Sequence, residues 1–275
     1  MWSISCTLVS YLLTALAHPG RVPESWRPTL WQEEHPDKPG IPLPLKAADT
    51  PPDPAAASDV RANPPAKPNL YPVAPPAVHA AGTAMLLADG RHRFCVHCNV
   101  FKPDRAHHCT SCRECVLRMD HHCPFTGNSC VGFLNRKYFV LFLYYATLSC
   151  SLVATLTPGA ILNRLLELEA RPTIAALAGV ILQMMGYVLC ALHALALAPF
   201  SAFHTYLVLK NRTTIENQEA RPAVHADVLR RSDQGWLNNW KGVFGPRPLL
   251  WFVPVTIGRD ADVIDPPQRP ADELV

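Results

Sequence analysis

The chain has 275 residues, with 25 Lys and Arg against 22 Asp and Glu, so its formal charge of +3 is too small to grip a nucleic-acid backbone. No basic run is interleaved with stacking aromatics, which argues against a nucleic-acid partner. The composition is uneven: Pro and Ala crowd residues 19–77, seven of the ten cysteines fall between residues 94 and 136, and two apolar runs dominate residues 138–209.

The stretch from Trp2 to Ala17 is apolar, with a length between that of a signal-peptide core and a full span. It lacks a basic n-region, although Ala15-Leu16-Ala17 has the small residues of a cleavage site. Residues 1–18 are read as a remnant span that delivers the chain into the cytosol, where Arg21 and Arg27 lie. The alternative is a cleaved signal peptide, which would put the cysteines in a lumen. Residues 19–88 form a linker, because proline recurs too often from Trp26 to Gly82 for any packed periodic element.

Residues 89–137 carry Cys95-x-x-Cys98, His107-His108-Cys109, Cys112, Cys115, Asp120-His121-His122-Cys123 and Cys130. Cys and His this closely spaced point to a metal in a reducing compartment rather than to disulfides. Zn2+ takes four thiolate or imidazole ligands, so six cysteines and two histidines would complete two Cys3His sites and leave one cysteine over. No helical or strand periodicity is visible in the stretch, and the metals are expected to supply most of its folding energy. Among the seven cysteines, Cys123 alone adjoins both a carboxylate and an imidazole pair, the partners that turn a thiol into a nucleophile. In that reading His121 is the base, while Asp120 orients and charges its imidazole. Spacing alone leaves open that all seven cysteines are structural.

Between Lys137 and Arg164 there is no fixed charge, and Phe139 to Leu156 as a helix crosses roughly 27 Å of hydrocarbon. Pro158 and Gly159 are expected to end that span, and a short polar loop with Arg164, Glu167, Glu169 and Arg171 to follow. A second span is expected around residues 175–199, with an apolar extension towards Lys210. Arg136 and Lys137 precede the pair while Lys210 and Arg212 follow it, which places both flanks and the cysteine-rich region in the cytosol. Apart from His193 no acidic or basic side chain lies inside either span to mark a transport pathway. The fold class is therefore an α-helical membrane protein. It has two clear transmembrane helices in residues 138–209, a short N-terminal hydrophobic segment, a cytosolic zinc-bound domain inserted before the helix pair, and a cytosolic C-terminal region, residues 210–275.

Several motifs together resemble the DHHC palmitoyltransferases. They are Arg93-Phe94-Cys95, Lys102-Pro103-Asp104-Arg105, His107-His108-Cys109, Met119-Asp120-His121-His122-Cys123-Pro124 and Cys130-Val131-Gly132-Phe133. Past the second span, Asn211-Arg212-Thr213-Thr214-Ile215-Glu216 is similar to the family's TTxE motif, and Asn238-Asn239-Trp240 through Val243-Phe244-Gly245 to its C-terminal aromatic and Asn segment. The resemblance implies one Zn2+ on Cys95, Cys98, His108 and Cys115, a second on Cys109, Cys112, His122 and Cys130, and Cys123 as nucleophile. It further implies transfer of a fatty acyl group, palmitoyl in most of the family, from acyl-CoA to Cys123 with help from His121. A cysteine thiol of a membrane-proximal protein substrate then receives it. The expected setting is a multi-pass protein of the Golgi, ER or another endomembrane. Arg118, Arg136 and Lys137 are the basic residues placed to meet the CoA phosphates.

The sequence departs from the family at three places. Phe125 stands where Trp is usual, Thr126-Gly127-Asn128-Ser129 brings one extra residue before Cys130, and His18-Pro19-Gly20 has His for the Asp of a DPG motif. Gly127 is expected to absorb the extra residue. The family usually has four spans, so the natural protein is expected to begin upstream of Met1. The rival function is a zinc-stabilised membrane scaffold that keeps the fold with weak turnover.

Overall fold

The computed structural model describes residues 2–28, 92–218, 229–230 and 232–255. The expected Pro-rich linker beyond residue 28, and the C-terminal region beyond 255, lie outside the described residues. The chain divides into two compact units, Arg21–Leu117 and the combination of Met1–Gly20 with Arg118–Val275.

In the Arg21–Leu117 unit, a 3-10 turn at Glu24–Trp26 buries Trp26, and two small hairpins follow. Strand β1 (Phe94–Cys95) pairs with β2 (Val100–Phe101), and β3 (His107–Cys109) pairs with β4 (Glu114–Val116), both antiparallel. The strands are two or three residues long, too short for a hydrophobic alternation to register in the sequence. Each hairpin turns on a residue with positive φ immediately before its return strand, Asn99 at 53° and Arg113 at 56°. This corner lets the sulfurs of Cys95 and Cys98, or of Cys109 and Cys112, converge from a tight turn.

The other unit is built on helices. Helix α1 (Trp2–Leu16) packs along α2 (Arg136–Ala170), which pairs with α3 (Ile174–Leu209). At 15 residues α1 is only about 22 Å long, short of a bilayer's hydrocarbon. Helices α2 and α3 have 35 and 36 residues and mean hydropathy of 1.9 and 2.0 in their most apolar stretches, long and apolar enough to cross a membrane. From Leu148 onward α2, and α3 from Ile174 to Leu195, expose Leu, Val, Ile and Met on their outward surfaces, as lipid-facing helices do. The protein is a multi-pass membrane protein. Strands β5 (His121–Cys123) and β6 (Ser129–Val131) form a third hairpin at the start of α2, and α4 (Thr214–Gln218) with α5 (Trp236–Phe244) follows α3.

One boundary differs from expectation. Helix α2 does not stop at Pro158-Gly159 but runs on to Ala170, so Arg164, Glu167 and Glu169 belong to a helix and not to a loop. Proline removes one N–H, the partner of the Ala154 carbonyl, a loss that transmembrane helices tolerate. At about 52 Å the helix exceeds the hydrocarbon thickness, and its charged last turns project beyond it. The true connection is three residues, in which Thr173 caps α3 by accepting the Ala176 amide at 3.1 Å.

Asn135, fully buried at the head of α2, ties three elements together. Its Oδ1 accepts the Gly132 amide at 2.8 Å. Its Nδ2 lies within 2.9–3.3 Å of the carbonyls of Cys130, Thr14 and Ala17. Two of those carbonyls belong to the end of α1, where intrahelical donors run out. Replacing Asn135 by Ala strands these buried groups and should cost about 2 kcal/mol or more. Thermal unfolding in nanodiscs should show a lowered midpoint for Asn135→Ala and no change for Asn163→Ala on the exposed face of α2.

Candidate active site

In the Arg21–Leu117 unit, Cys95, Cys98, His108 and Cys115 bring one donor atom each to within 4.8 Å of one another. His108 Nδ1 stands 3.2 Å from Cys98 Sγ and 4.0 Å from Cys115 Sγ. Tetrahedral Zn2+ at bond lengths near 2.3 Å sets its ligand atoms about 3.8 Å apart, so the set fits that ion. A hydrogen bond from Cys115 takes the Cys95 thiol down to about 4, while burial pushes Cys98 up. Cys109 and Cys112 face each other in the same unit, the Cys112 amide donating to Cys109 Sγ at 3.3 Å.

The β5–β6 hairpin separates two kinds of chemistry by strand alternation. His122 pairs with Cys130 across the ladder, and His122 Nδ1 stands 3.7 Å from Cys130 Sγ. His122 Nε2 meets Asn128 Oδ1 at 3.0 Å, an outer bond that leaves Nδ1 as the ligating nitrogen. His121 and Cys123 lie on the opposite face of β5, towards Phe139 of α2. The loop between the strands absorbs its extra residue at Gly127 and Asn128, with φ of 66° and 53°, and there a Cβ on Gly127 would stand 3.0 Å from Ala15 Cβ. By composition, Cys109 and Cys112 with His122 and Cys130 make a second Cys3His set of the kind that suits Zn2+.

Asp120 is the buried hub of the second face. Its Oδ2 takes His121 Nδ1 at 2.7 Å and the Thr214 hydroxyl at 2.8 Å, and its Oδ1 takes the Thr214 amide at 3.1 Å, with Arg136 3.4 Å away. Burial alone would raise this carboxyl's pKa, but Arg136 and the His121 hydrogen bond outweigh it and hold the group below the usual carboxylate range. Burial likewise opposes the charged form of His121, yet the bonds to Asp120 and Cys123 raise it to about 9. At Cys123 burial is overcome by the His121 imidazole, the Thr126 hydroxyl and the Phe125 backbone, which bring the thiol down to about 7. With Nδ1 engaged by Asp120, Nε2 of His121 is left to take the thiol proton.

The structure explains the Thr213-Thr214-Ile215-Glu216 stretch, whose role is not legible from spacing. Thr213 and Glu216 form a reciprocal capping box: the Thr213 amide donates to Glu216 Oε2 at 2.8 Å, and the Glu216 amide to Thr213 Oγ1 at 3.2 Å. This fixes the start of α4 so that Thr214 meets Asp120. His204 of α3 was also missed. Caged by Phe139, Phe200 and Phe203, it sits with its ring centroid 5.9 Å from that of His121.

Arg118, Arg136 and Lys137 turn inward instead of outward. Arg118 bonds Asn211 Oδ1 and lies over the Phe133 ring, Arg136 holds Asp120 and Arg212 O, and Lys137 donates to Leu250 O and Val255 O. All three are buried.

Residues 88–221 match the family model described as DHHC palmitoyltransferase. The chain is 35% identical over 184 residues to palmitoyltransferase PFA3 of Debaryomyces hansenii, covering 60% of this chain and 44% of that protein. It is 38% identical over 172 residues to palmitoyltransferase ZDHHC15A of Danio rerio, covering 61% and 49%. With palmitoyltransferase ZDHHC2 of Homo sapiens it shares 34% over 170 residues, covering 60% and 44%. The chain thus spans about half the length of the curated relatives it matches. Those matches and the hairpin that sets Asp120, His121 and Cys123 at the head of two long apolar helices identify residues 88–221 as a region of the DHHC palmitoyltransferase family.

Proposed function

We propose that the protein is an S-acyltransferase that moves a fatty acyl group, palmitoyl by preference, from acyl-CoA to protein cysteines through a thioester on Cys123. The observation that carries this reading is the buried Asp120–His121 pair beside Cys123, with the thiol brought down to about 7. Cys123, its proton held on His121 Nε2, attacks the thioester carbonyl carbon of acyl-CoA as a thiolate, and the CoA thiolate leaves and takes that proton from the imidazolium. In the second step a substrate thiol gives its proton to His121, attacks the acyl-enzyme carbonyl, and Cys123 departs as thiolate. Asp120 remains ionised throughout and holds the imidazole in one tautomer.

Cys95, Cys98, His108 and Cys115 would hold one Zn2+, and Cys109, Cys112, His122 and Cys130 a second, both supplying folding energy and not chemistry. A long acyl chain gains about 0.8 kcal/mol for each CH2 taken from water, which favours a site at the head of membrane helices with CoA left outside. Substrates are then proteins whose cysteines lie near the bilayer, on the cytosolic face of an endomembrane where thiols stay reduced.

Purified protein given alkynyl palmitoyl-CoA should acquire a hydroxylamine-labile label that Cys123→Ser abolishes. A zinc-replete wild-type protein that takes no label would instead be the scaffold. His121→Ala should slow labelling by roughly 10²- to 10⁴-fold with two zinc ions retained, whereas His122→Ala should lose zinc by elemental analysis. Thr214→Val removes one donor to Asp120 and should slow labelling by about tenfold at unchanged zinc content.

A further inference from the structure

The segment that follows α5 is held in an unusual way. A 3-10 turn at Pro248–Leu250 leads into an irregular stretch to Val255, and its carbonyls are gripped by side chains of α2. Lys137 Nζ donates to Leu250 O at 2.8 Å and to Val255 O at 2.7 Å, and the Tyr145 hydroxyl donates to Phe252 O. Lys137 is 1% exposed, so its ammonium is committed to this task. The backbone amides of Leu250, Trp251, Val253 and Val255 are bonded within the segment, and Pro248 and Pro254 have no amide to satisfy. Four of the segment's six amides, and the carbonyls of Leu250, Phe252 and Val255, are thus met by protein groups.

Its side chains point the other way. Leu249 is 93% exposed and Phe252 52%, and Val255 and, at the start of α5, Trp236 are exposed as well. Trp251 is anchored instead, its Nε1 donating to Gly245 O at 2.9 Å beside Trp240. The depth of the segment follows from what holds it. Tyr145 lies eight residues past Lys137, about 12 Å along a helix, within the stretch of α2 that has no fixed charge. A helical Tyr leans back towards the helix N-terminus, so its hydroxyl meets Phe252 O some way short of that depth. Irregular backbone at this level survives only when its polar groups find partners in the protein, and Lys137 and Tyr145 are those partners.

We propose that residues 248–255 form a clasp that dips into the leaflet where α2 begins, with Leu249, Phe252 and Val255 inserted among the lipid chains. The occupant of this surface is lipid. Insertion of about 5–10 Å is typical of apolar elements that lie in the interface, and tryptophans gather at the same level. Lys137 serves as the latch, neutralising with one ammonium the carbonyls that hydrocarbon would leave unsolvated. This inference goes beyond the acyl-transfer reading and rests only on α2 crossing the bilayer.

A photoreactive benzoylphenylalanine placed at position 249 or 252 of the full chain, reconstituted in phosphatidylcholine nanodiscs and irradiated, tests it by mass spectrometry. Lipid adducts are expected at both positions, as at Leu156 on the exposed face of α2, and none at the exposed Val96 of the cysteine-rich region. In the Lys137→Met background the adduct at 252 should fall by roughly tenfold while that at 156 persists. Should Lys137→Met fail to accumulate, Tyr145→Phe removes one hydroxyl only and should lower the adduct at 252 alone. Absence of lipid adducts at both 249 and 252, adducts to another protein in their place, or adducts at 252 indifferent to both substitutions would overturn the proposal. The readout needs no acyl-CoA, so it stands apart from whether Cys123 turns over.

Discussion

A single buried carboxylate organises the Met1–Gly20 and Arg118–Val275 unit. Asp120 is enclosed on every side, and a charge in that position is tolerable only because each oxygen is met by donors. Those donors come from three directions: Arg136 from the first turn of α2, Thr214 from the start of α4, and His121 from the adjoining residue of the chain. The ion pair therefore contributes more than attraction. It fixes where the hairpin, the long helix and the segment after α3 can stand, since moving any of them leaves a buried charge uncompensated at a cost of several kcal/mol.

Strand alternation then divides the labour. His121 and His122 are neighbours in sequence, yet a β-strand sends them to opposite faces, one beside Asp120 and Phe139, the other beside Cys130. A helix would have separated them by about 100° and left neither face clean. The same ladder that sets His122 opposite Cys130 sets His121 and Cys123 on one side, so a metal-binding role for one imidazole and a basic role for the other need only three residues of strand.

Much of this was legible because cysteine and histidine spacing carries its own chemistry. The count of six cysteines and two histidines leaves one thiol over, and the acidic and imidazole neighbours single out Cys123. The two long apolar helices were equally plain, since uninterrupted apolar runs of this length are rarely tolerated in soluble helices. What the sequence concealed were interactions between residues far apart in the chain. Thr214 reaches Asp120 across 94 positions, and Asn135 reaches the end of α1 across 118 and 121. Arg136 and Lys137 mark the membrane boundary in sequence, and only the fold reveals that their side chains are buried. Pro158 misled because its cost is judged from soluble helices, where water competes for every freed carbonyl.

The departures from the family pattern also have local physical answers. Where the family carries Asp before Pro-Gly, His18 accepts the Gly20 amide on Nδ1 at 3.0 Å, the bond an Asp side chain would make two residues on in an Asx turn. The turn directs Pro19 O to the Leu134 amide at 3.0 Å, so the join between α1 and the head of α2 is kept by a different acceptor. Phe125 is another matter. It is 85% exposed, and the hairpin loop on which it rides is pinned from beneath by Cys123 and by the approach of Gly127 to Ala15, not by the aromatic ring. The height of the nucleophile above α2 is thus set by Asp120, Asn135 and the β5–β6 ladder, all of them short buried bonds. A substitution at 125 changes the apolar surface offered next to the thiol without shifting the thiol itself.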